Sequence, residues 1–392
     1  TYIDDMPELP GTLHAALILS PVAHGRLKAV GTAAAERMPG VVRIILAKDI
    51  PGHNEVGPIL HGELLFAEEI VDYRGCVIGA VAAETMAQAV KAAHAIKLDI
   101  ESLPAVLDVE AAHAAKSYVQ PSQTVTEGDT AAGFAAADRI FTGRQIIGGQ
   151  DHFYLDTHIA HAIPGEDDDM LVHSSTQHPT EVQHHVAGIL GIPASKVECQ
   201  IRRMGGGFGG KESQPTIIAG AAALLAKFTR RPVKLRLRRR DDMTATGKRH
   251  HMVANWKAGI DKRGRITALD VEYLAGAGNT PDLTGPVIAR ALCHTDNAYF
   301  IPNGHFIGHA CKTNTVSNTA FRGFGGPQGI IAIEAIMDTI AREAGIDPNE
   351  LRRLNYYGPQ TGEVTPYGQP VEDNRLTEVT EAVLADAEWD RR

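Results

Sequence analysis

The hydrophobic pattern of the chain predicts an α+β protein: a small α/β domain over residues 1–110, a linker over 111–137, and a mixed α+β domain over 138–392. Three observations carry that expectation. Short β-rich runs, such as Val41–Leu46 and Val77–Ala83, are interleaved with helix-period stretches such as residues 84–96. Residues 104–138 are poor in aromatics and rich in Ala, Ser, Thr, Gly and Asp, a linker-like composition. A length of 392 residues also exceeds what one ordinary hydrophobic core organises. The composition, 44% hydrophobic and 22% charged, is that of a soluble globular protein, and no run is long and apolar enough to span a bilayer. The formal charge of -9 argues against a nucleic-acid partner. The four cysteines show no CxxC spacing, which argues against a zinc or iron–sulfur cluster held by this chain and for free thiols in a reducing, cytoplasmic setting.

In chain order, residues 11–20 read as a strand. Residues 21–50 read as turn, short strand, helix closed by Gly40, and strand. A loop over 51–65 precedes strands at 70–73 and 77–83, a helix at 84–96 and a strand at 96–101. No catalytic residue types gather here, so this part is expected to be scaffold or interface. The second part opens with a strand at 138–147. In GGQDHFYLDTH, strand geometry would put His152, Tyr154, Asp156 and His158 on one face, a packed polar face or, alternatively, a metal set. The acidic turn 164–169 lacks EF-hand spacing. Strand 170–174 then meets a helix with Pro179 near its start, which places Gln177 at a strand-to-helix junction, as a cap or with its amide turned into a cleft. The basic run 229–243 reads as a solvated strand, and 252–260 with 266–274 as a hairpin. Arg290 lies in a short apolar helix, 287–293, either snorkelling or anchoring an anionic or carbonyl-bearing group. A helix follows residue 326, with further helices at 350–354 and 374–387.

Two glycine turns dominate the second part. RRMGGGFGGKE, residues 202–212, follows a strand and leads into an Ala/Leu/Ile-rich helix. NTAFRGFGGPQ, residues 318–328, repeats its GFGG tetrad and again leads into a helix. Backbone N–H groups in such turns and at helix N-termini can bind anions, so both turns are expected to face one extended ligand, with Arg322 adding charge. Gly205, Gly207 and Gly210 satisfy GxGxxG. A dinucleotide site nevertheless lacks its acidic ribose ligand about twenty residues on, where residues 227–234 are basic. An NADP site would survive that objection but would not explain the second tetrad. A P-loop is excluded because Lys211 is followed by Glu212.

These two turns, with GGQDHFYLDTH and the STQ at 175–177, resemble the molybdenum-cofactor (large) subunit of bacterial xanthine dehydrogenases in the xanthine oxidase family. The resemblance covers nearly the whole chain. It implies a hammerhead-like α/β domain followed by the first half of a molybdopterin-binding domain. It also implies that Gln177 contacts an oxo ligand of molybdenum, that Gly207, Phe208 and Gly209 form one cofactor loop, and that Arg322 and Gly323 belong to the other. No protein side chain is then a direct metal ligand. Glu212 and Arg290 resemble the purine-recognising pair of xanthine dehydrogenases, acting in substrate orientation and transition-state charge, and Phe324 resembles the phenylalanine packed against the purine.

The implied activity is oxidative hydroxylation of hypoxanthine and xanthine to urate, by attack of a metal-bound hydroxide and hydride transfer to the sulfido ligand. Electrons then pass to two [2Fe–2S] clusters and FAD on a partner subunit, and on to NAD. The family's general-base glutamate is expected beyond residue 392, in the remaining half of the subunit, so this chain alone is expected to be incomplete and inactive. The implied assembly is a dimer of heterodimers. An aldehyde or N-heterocycle molybdenum hydroxylase, and a non-catalytic assembly fragment, are the alternatives.

Overall fold

The computed structural model describes residues 1–391. Its largest sheet has seven strands in the order Val197–Gln200, Met170–Ser174, Ile159–Pro164, Val233–Arg236, Leu13–Leu19, Val77–Ala83, Val41–Leu46. The join between its early and late strands is a parallel ladder, Leu13 opposite Val233 and Ala15 opposite Leu235. Residues before 84 and after 158 therefore share one sheet.

The helix Pro215–Thr229 crosses this sheet with every residue from Pro215 to Ala226 buried. Its run of Ala, Ile and Leu is apolar on all sides, the pattern of a fully enclosed helix. With the helix Pro179–Leu190 and Leu13, Val172 and Leu235 it makes the first core.

A five-stranded sheet, in the order Gln123–Glu127, Gly304–Lys312, Ile266–Gly278, Met252–Ile260, Arg139–Ile147, carries the second core. There Tyr273, Phe306 and Val287 pack with Ile333, Ile336 and Met337 from the helix Gly326–Ala344. A three-stranded sheet, Ile70–Val71, Gly25–Gly31 and Lys97–Ser102, completes the N-terminal part with the helix Met86–Ala95.

The structure departs from the sequence pattern in three places. Residues 111–137, linker-like in composition, are ordered: the helix Val109–Ala114, the strand Gln123–Glu127 paired with Gly304–Lys312, and the helix Thr130–Ala135. Asp108 and Asp129 accept backbone hydrogen bonds as the N-caps of the two helices. The basic run 229–243 is a strand only at Val233–Arg236; the helix Arg239–Ala245 follows, with Asp241 and Asp242 in its first turn. Residues 148–158 form no strand, and Phe153 takes φ +48°. Alternate burial of His152, Tyr154 and His158 survives without a ladder.

Candidate cofactor and substrate site

The first glycine turn is held by polar groups buried beneath it. Lys211 is fully buried, and its Nζ reaches Asp156 Oδ1 at 2.9 Å, the Asp156 carbonyl at 2.8 Å and Ser175 Oγ at 2.9 Å. Asp156 in turn accepts from Ser175 Oγ at 2.7 Å and from the Gly205 N–H at 2.6 Å. Burial pulls the Lys211 pKa down while Asp156 opposes it; Asp156, which burial alone would raise, is held below its ordinary value by Lys211 and Ser175. These two shifts point to different degrees of pairing. Three acceptors at hydrogen-bond distance match the three ammonium protons, and they fix Lys211 as the cation. Beside it, Asp242 accepts from Tyr154 Oη at 2.9 Å and from the His158 N–H at 2.8 Å; burial pushes its pKa up, and the charge and hydrogen bonds of His158, followed by the Tyr154 hydroxyl, overcome this and hold it low. His158 reaches the Gly210 carbonyl through Nε2 at 3.1 Å. The polar cluster at 152–158 thus props the glycine turn from below.

Gln177 lies where the sequence places it, after the strand Met170–Ser174 and before the helix Pro179–Leu190. Its backbone N–H donates to the Lys211 carbonyl at 2.7 Å. Its Oε1 accepts from Gly209 N–H at 2.9 Å and, more weakly, from Lys211 N–H at 3.4 Å. Two backbone donors therefore fix which end of the amide faces the turn, and the Nε2 donors have no acceptor among the described residues. Gly207 lies against this amide: a Cβ built there would stand 2.8 Å from Gln177 Cδ.

The two GFGG turns touch each other. The Arg322 N–H donates to the Phe208 carbonyl at 2.8 Å, and a Cβ at Gly209 would stand 2.7 Å from the Ala320 carbonyl. His152 Nε2 bridges to the same Ala320 carbonyl at 2.7 Å and stacks on Phe321 at 4.4 Å. Burial lowers the His152 pKa to about 4, so the ring is neutral and its Nε2 is the donor. The turns repeat one backbone shape, with φ +53° and +99° at Phe208 and Gly209 and +50° and +97° at Phe324 and Gly325. Left-handed phenylalanines are strained and persist where the surroundings over-determine them. Arg249 closes the group from above, donating to the Arg322 carbonyl at 2.8 Å and stacking on Phe321 at 3.9 Å.

The residues expected to meet substrate are spread around this junction. Glu212 is half-buried; burial raises its pKa, His178 opposes and Glu181 reinforces. Phe324 is half-buried against the second core. Its neighbour Gly325 presses on the backbone of Val287 and Ala291, in the helix Thr284–Leu292 that carries Arg290. Arg290 is exposed and forms no ion pair among the described residues, so it is not a buried anchor in this chain by itself. Gln177, Phe208, Arg322 and Gly323 are exposed as well, which makes the site an open face.

Two residues to which the sequence gives no site role are structurally central: Lys211, which reads only as a failed P-loop lysine, and Asp242, which reads as the acid closing the basic run 229–243. Asp156, expected on a packed polar face, supports the turn from beneath. A further buried acid, Asp282, accepts from Ser213, Gln214 and Thr319 directly behind the first turn.

Residues 112–356 match the family model of the molybdopterin cofactor-binding domain, and residues 1–104 match the a/b hammerhead domain of aldehyde oxidase and xanthine dehydrogenase. The chain belongs to the xanthine oxidase family of molybdenum-cofactor proteins. It is 43% identical over 392 residues to the xanthine dehydrogenase/oxidase of Felis catus, covering 100% of this chain and 29% of that protein. It is 40% identical over 394 residues to the xanthine dehydrogenase of Emericella nidulans, with the same coverage of each. The chain thus spans 29% of the length of these relatives. Among solved structures, the aldehyde oxidoreductase of Desulfovibrio gigas superposes with TM-score 0.89 at 31% identity, covering 97% of this chain and 43% of that one. Quinoline 2-oxidoreductase of Pseudomonas putida 86 gives TM-score 0.88 at 25% identity, covering 100% and 52%.

The donor set fits this family's cofactor. Cβ-free backbone at Gly209 lets the two turns close up, Gly207 leaves room for the Gln177 amide, and the Gln177 amide hydrogens have no acceptor among the described residues. Among the described residues, no helix is long and apolar enough to cross a membrane, and the four cysteines are unpaired.

Proposed function

We propose that this chain supplies part of the molybdenum site and part of the purine pocket of a xanthine dehydrogenase that hydroxylates hypoxanthine and xanthine to urate. The observation that carries the reading is the contact between the two GFGG turns beside Gln177, whose amide is pinned by its oxygen and free at its nitrogen. Gln177, Gly207, Phe208, Gly209, Arg322 and Gly323 would hold the molybdopterin and its metal. When bound, that group supplies the two-electron oxidation. The chain's own residues bind and orient the substrate. Phe324 offers an aromatic face to the flat ring. Glu212, its pKa raised by burial, offers a carboxyl group to hydrogen-bond a ring nitrogen or carbonyl. Arg290 stabilises negative charge that develops on a purine carbonyl. The partner carrying [2Fe–2S] clusters and FAD, NAD as acceptor, a dimer of heterodimers and a cytoplasmic location belong to the same proposal.

A second reading, an aldehyde or N-heterocycle hydroxylase, draws on the exposed, unpaired state of Arg290 and on the likeness to the aldehyde and quinoline oxidoreductases. The test is to purify the full-length protein with its redox partner, measure molybdenum content, and compare turnover of xanthine with that of an aromatic aldehyde. Molybdenum with preferred xanthine turnover supports the first reading, and preferred aldehyde turnover the second. Absence of molybdenum from the intact assembly overturns both.

A further inference from the structure

On the far side of the five-stranded sheet, three side chains converge that take no part in the cofactor site. His309 Nε2 lies 3.3 Å from Glu272 Oε1, and His113 Nε2 lies 3.7 Å from the same oxygen. All three potential ligand atoms fall within 4.8 Å of one another. Each comes from a different element: Glu272 from the strand Ile266–Gly278, His309 from the parallel strand Gly304–Lys312, and His113 from the helix Val109–Ala114.

The outer nitrogens of both rings are already engaged. His113 Nδ1 lies 2.9 Å from Tyr118 Oη, and His309 Nδ1 lies 2.7 Å from Ser122 Oγ. Tyr118 also stacks on the His309 ring at 5.4 Å. The other carboxylate oxygen, Glu272 Oε2, accepts from Asn255 at 3.2 Å. Hydroxyl and amide partners on the far side of each group orient its remaining atom inward, as outer hydrogen bonds do around bound metals.

We propose that His113, Glu272 and His309 bind one divalent cation of the zinc class, with water as fourth ligand. Bonds of about 2.0–2.2 Å in a tetrahedron set ligand atoms roughly 3.3–3.5 Å apart, close to the two separations to Glu272. A plain ion-pair reading leaves two imidazoles competing for one carboxylate oxygen, their rings 4.9 Å apart, where two positive charges would repel. Neutral imidazole is the ligand form. The side chains of His113 and Glu272 are about a third exposed, which gives the ion and its water a way in. Such an ion would pin the 109–114 helix to two strands of the second core. The adjacent pair Asp270–His305, at 2.9 Å, lies on the same two strands and serves as an internal control.

The test uses the full-length protein, dialysed against a chelator and then equilibrated with Zn2+ alone, with bound zinc counted by elemental analysis. Wild type and His305→Ala are expected to bind one more zinc per chain than His309→Ala, Glu272→Ala or His113→Ala. Tyr118→Phe is expected to keep the zinc with affinity about 10-fold lower. Zn2+ should raise the melting temperature of wild type and leave the three ligand variants unmoved. Should His309→Ala, on a central strand, fail to fold, His113→Ala on the short surface helix decides. Equal zinc stoichiometry in wild type and His113→Ala overturns the proposal.

Discussion

Gly207→Ala tests whether the Gln177 amide is held for chemistry or merely for packing. A Cβ at 207 would stand 2.8 Å from Gln177 Cδ and 2.9 Å from its Cγ, and closer still to Oε1. Carbon atoms in ordinary contact sit about 3.5–4.0 Å apart, so the amide must retreat by roughly 1 Å. The atoms it meets belong to the end of a flexible side chain, which can swing aside. The stability loss should therefore be limited to the Gly209 N–H···Oε1 hydrogen bond at 2.9 Å, about 0.5–1.5 kcal/mol. Function should respond far more, because a displacement of about 1 Å at a positioned group can reduce rate by about 100-fold. The assay is xanthine turnover by the full-length variant per bound molybdenum, beside a thermal melt. A melting temperature near wild type with kcat down about 100-fold is expected. Turnover within about threefold of wild type would refute the placement of Gln177 at the reacting centre.

Lys211→Met leaves the Asp156 carboxylate unpaired under the turn and should destabilise the fold by about 3–5 kcal/mol, read by denaturant unfolding; a change under about 1 kcal/mol contradicts the ammonium assignment. Arg290→Met should lower kcat/KM more for xanthine than for hypoxanthine, since only xanthine carries the second carbonyl, and equal losses would sink that role. Burial, then the charge of Asp282, raises the Glu63 pKa from 4.5 to about 8. Its contribution to stability is therefore complete below pH 4.5 and is lost as pH rises through 8, because the folded state binds the proton more tightly. Glu63→Gln should flatten stability against pH across that window, and an unchanged slope in chemical denaturation would count against it.

Elements with strong local periodicity were legible in the sequence. The strand Val77–Ala83, the hairpin strands Met252–Ile260 and Ile266–Gly278 and the helix Gly326–Ala344 lie where their apolar repeats place them, within a few residues. The strand Gly304–Lys312 was not foreseen. Its two glycines and two histidines dilute the alternation, and its place comes from pairing with Ile266–Gly278, a long-range contact no local window contains. The stretch 148–158 has strand-like alternation but bends at Phe153, because its polar side chains are drawn to Asp242, Lys211 and Ala320 rather than to a neighbouring strand. At the site, the repeated GFGG leads to the expectation of a shared ligand, and the structure brings the two turns into contact. Lys211 stayed hidden because a lysine after glycines reads as a phosphate ligand or a surface charge; only the fold shows it turned inward. The exposure of Arg290 was open for a similar reason, since an arginine among apolar residues fits either a buried or a snorkelling side chain.

The first glycine turn is built on one core and the second on the other, and a few backbone contacts, Arg322 N–H to Phe208 and His152 to Ala320 among them, stitch the seam between. A ligand laid across both turns tightens that seam. By thermodynamic reciprocity, whatever tightens the seam from outside, such as a neighbouring subunit closing over the open face, raises ligand affinity by the same factor. Under the proposed function, cofactor capture and subunit assembly would then be two readings of one coupling free energy, and the order in which they occur would set the kinetics of maturation but not its end point.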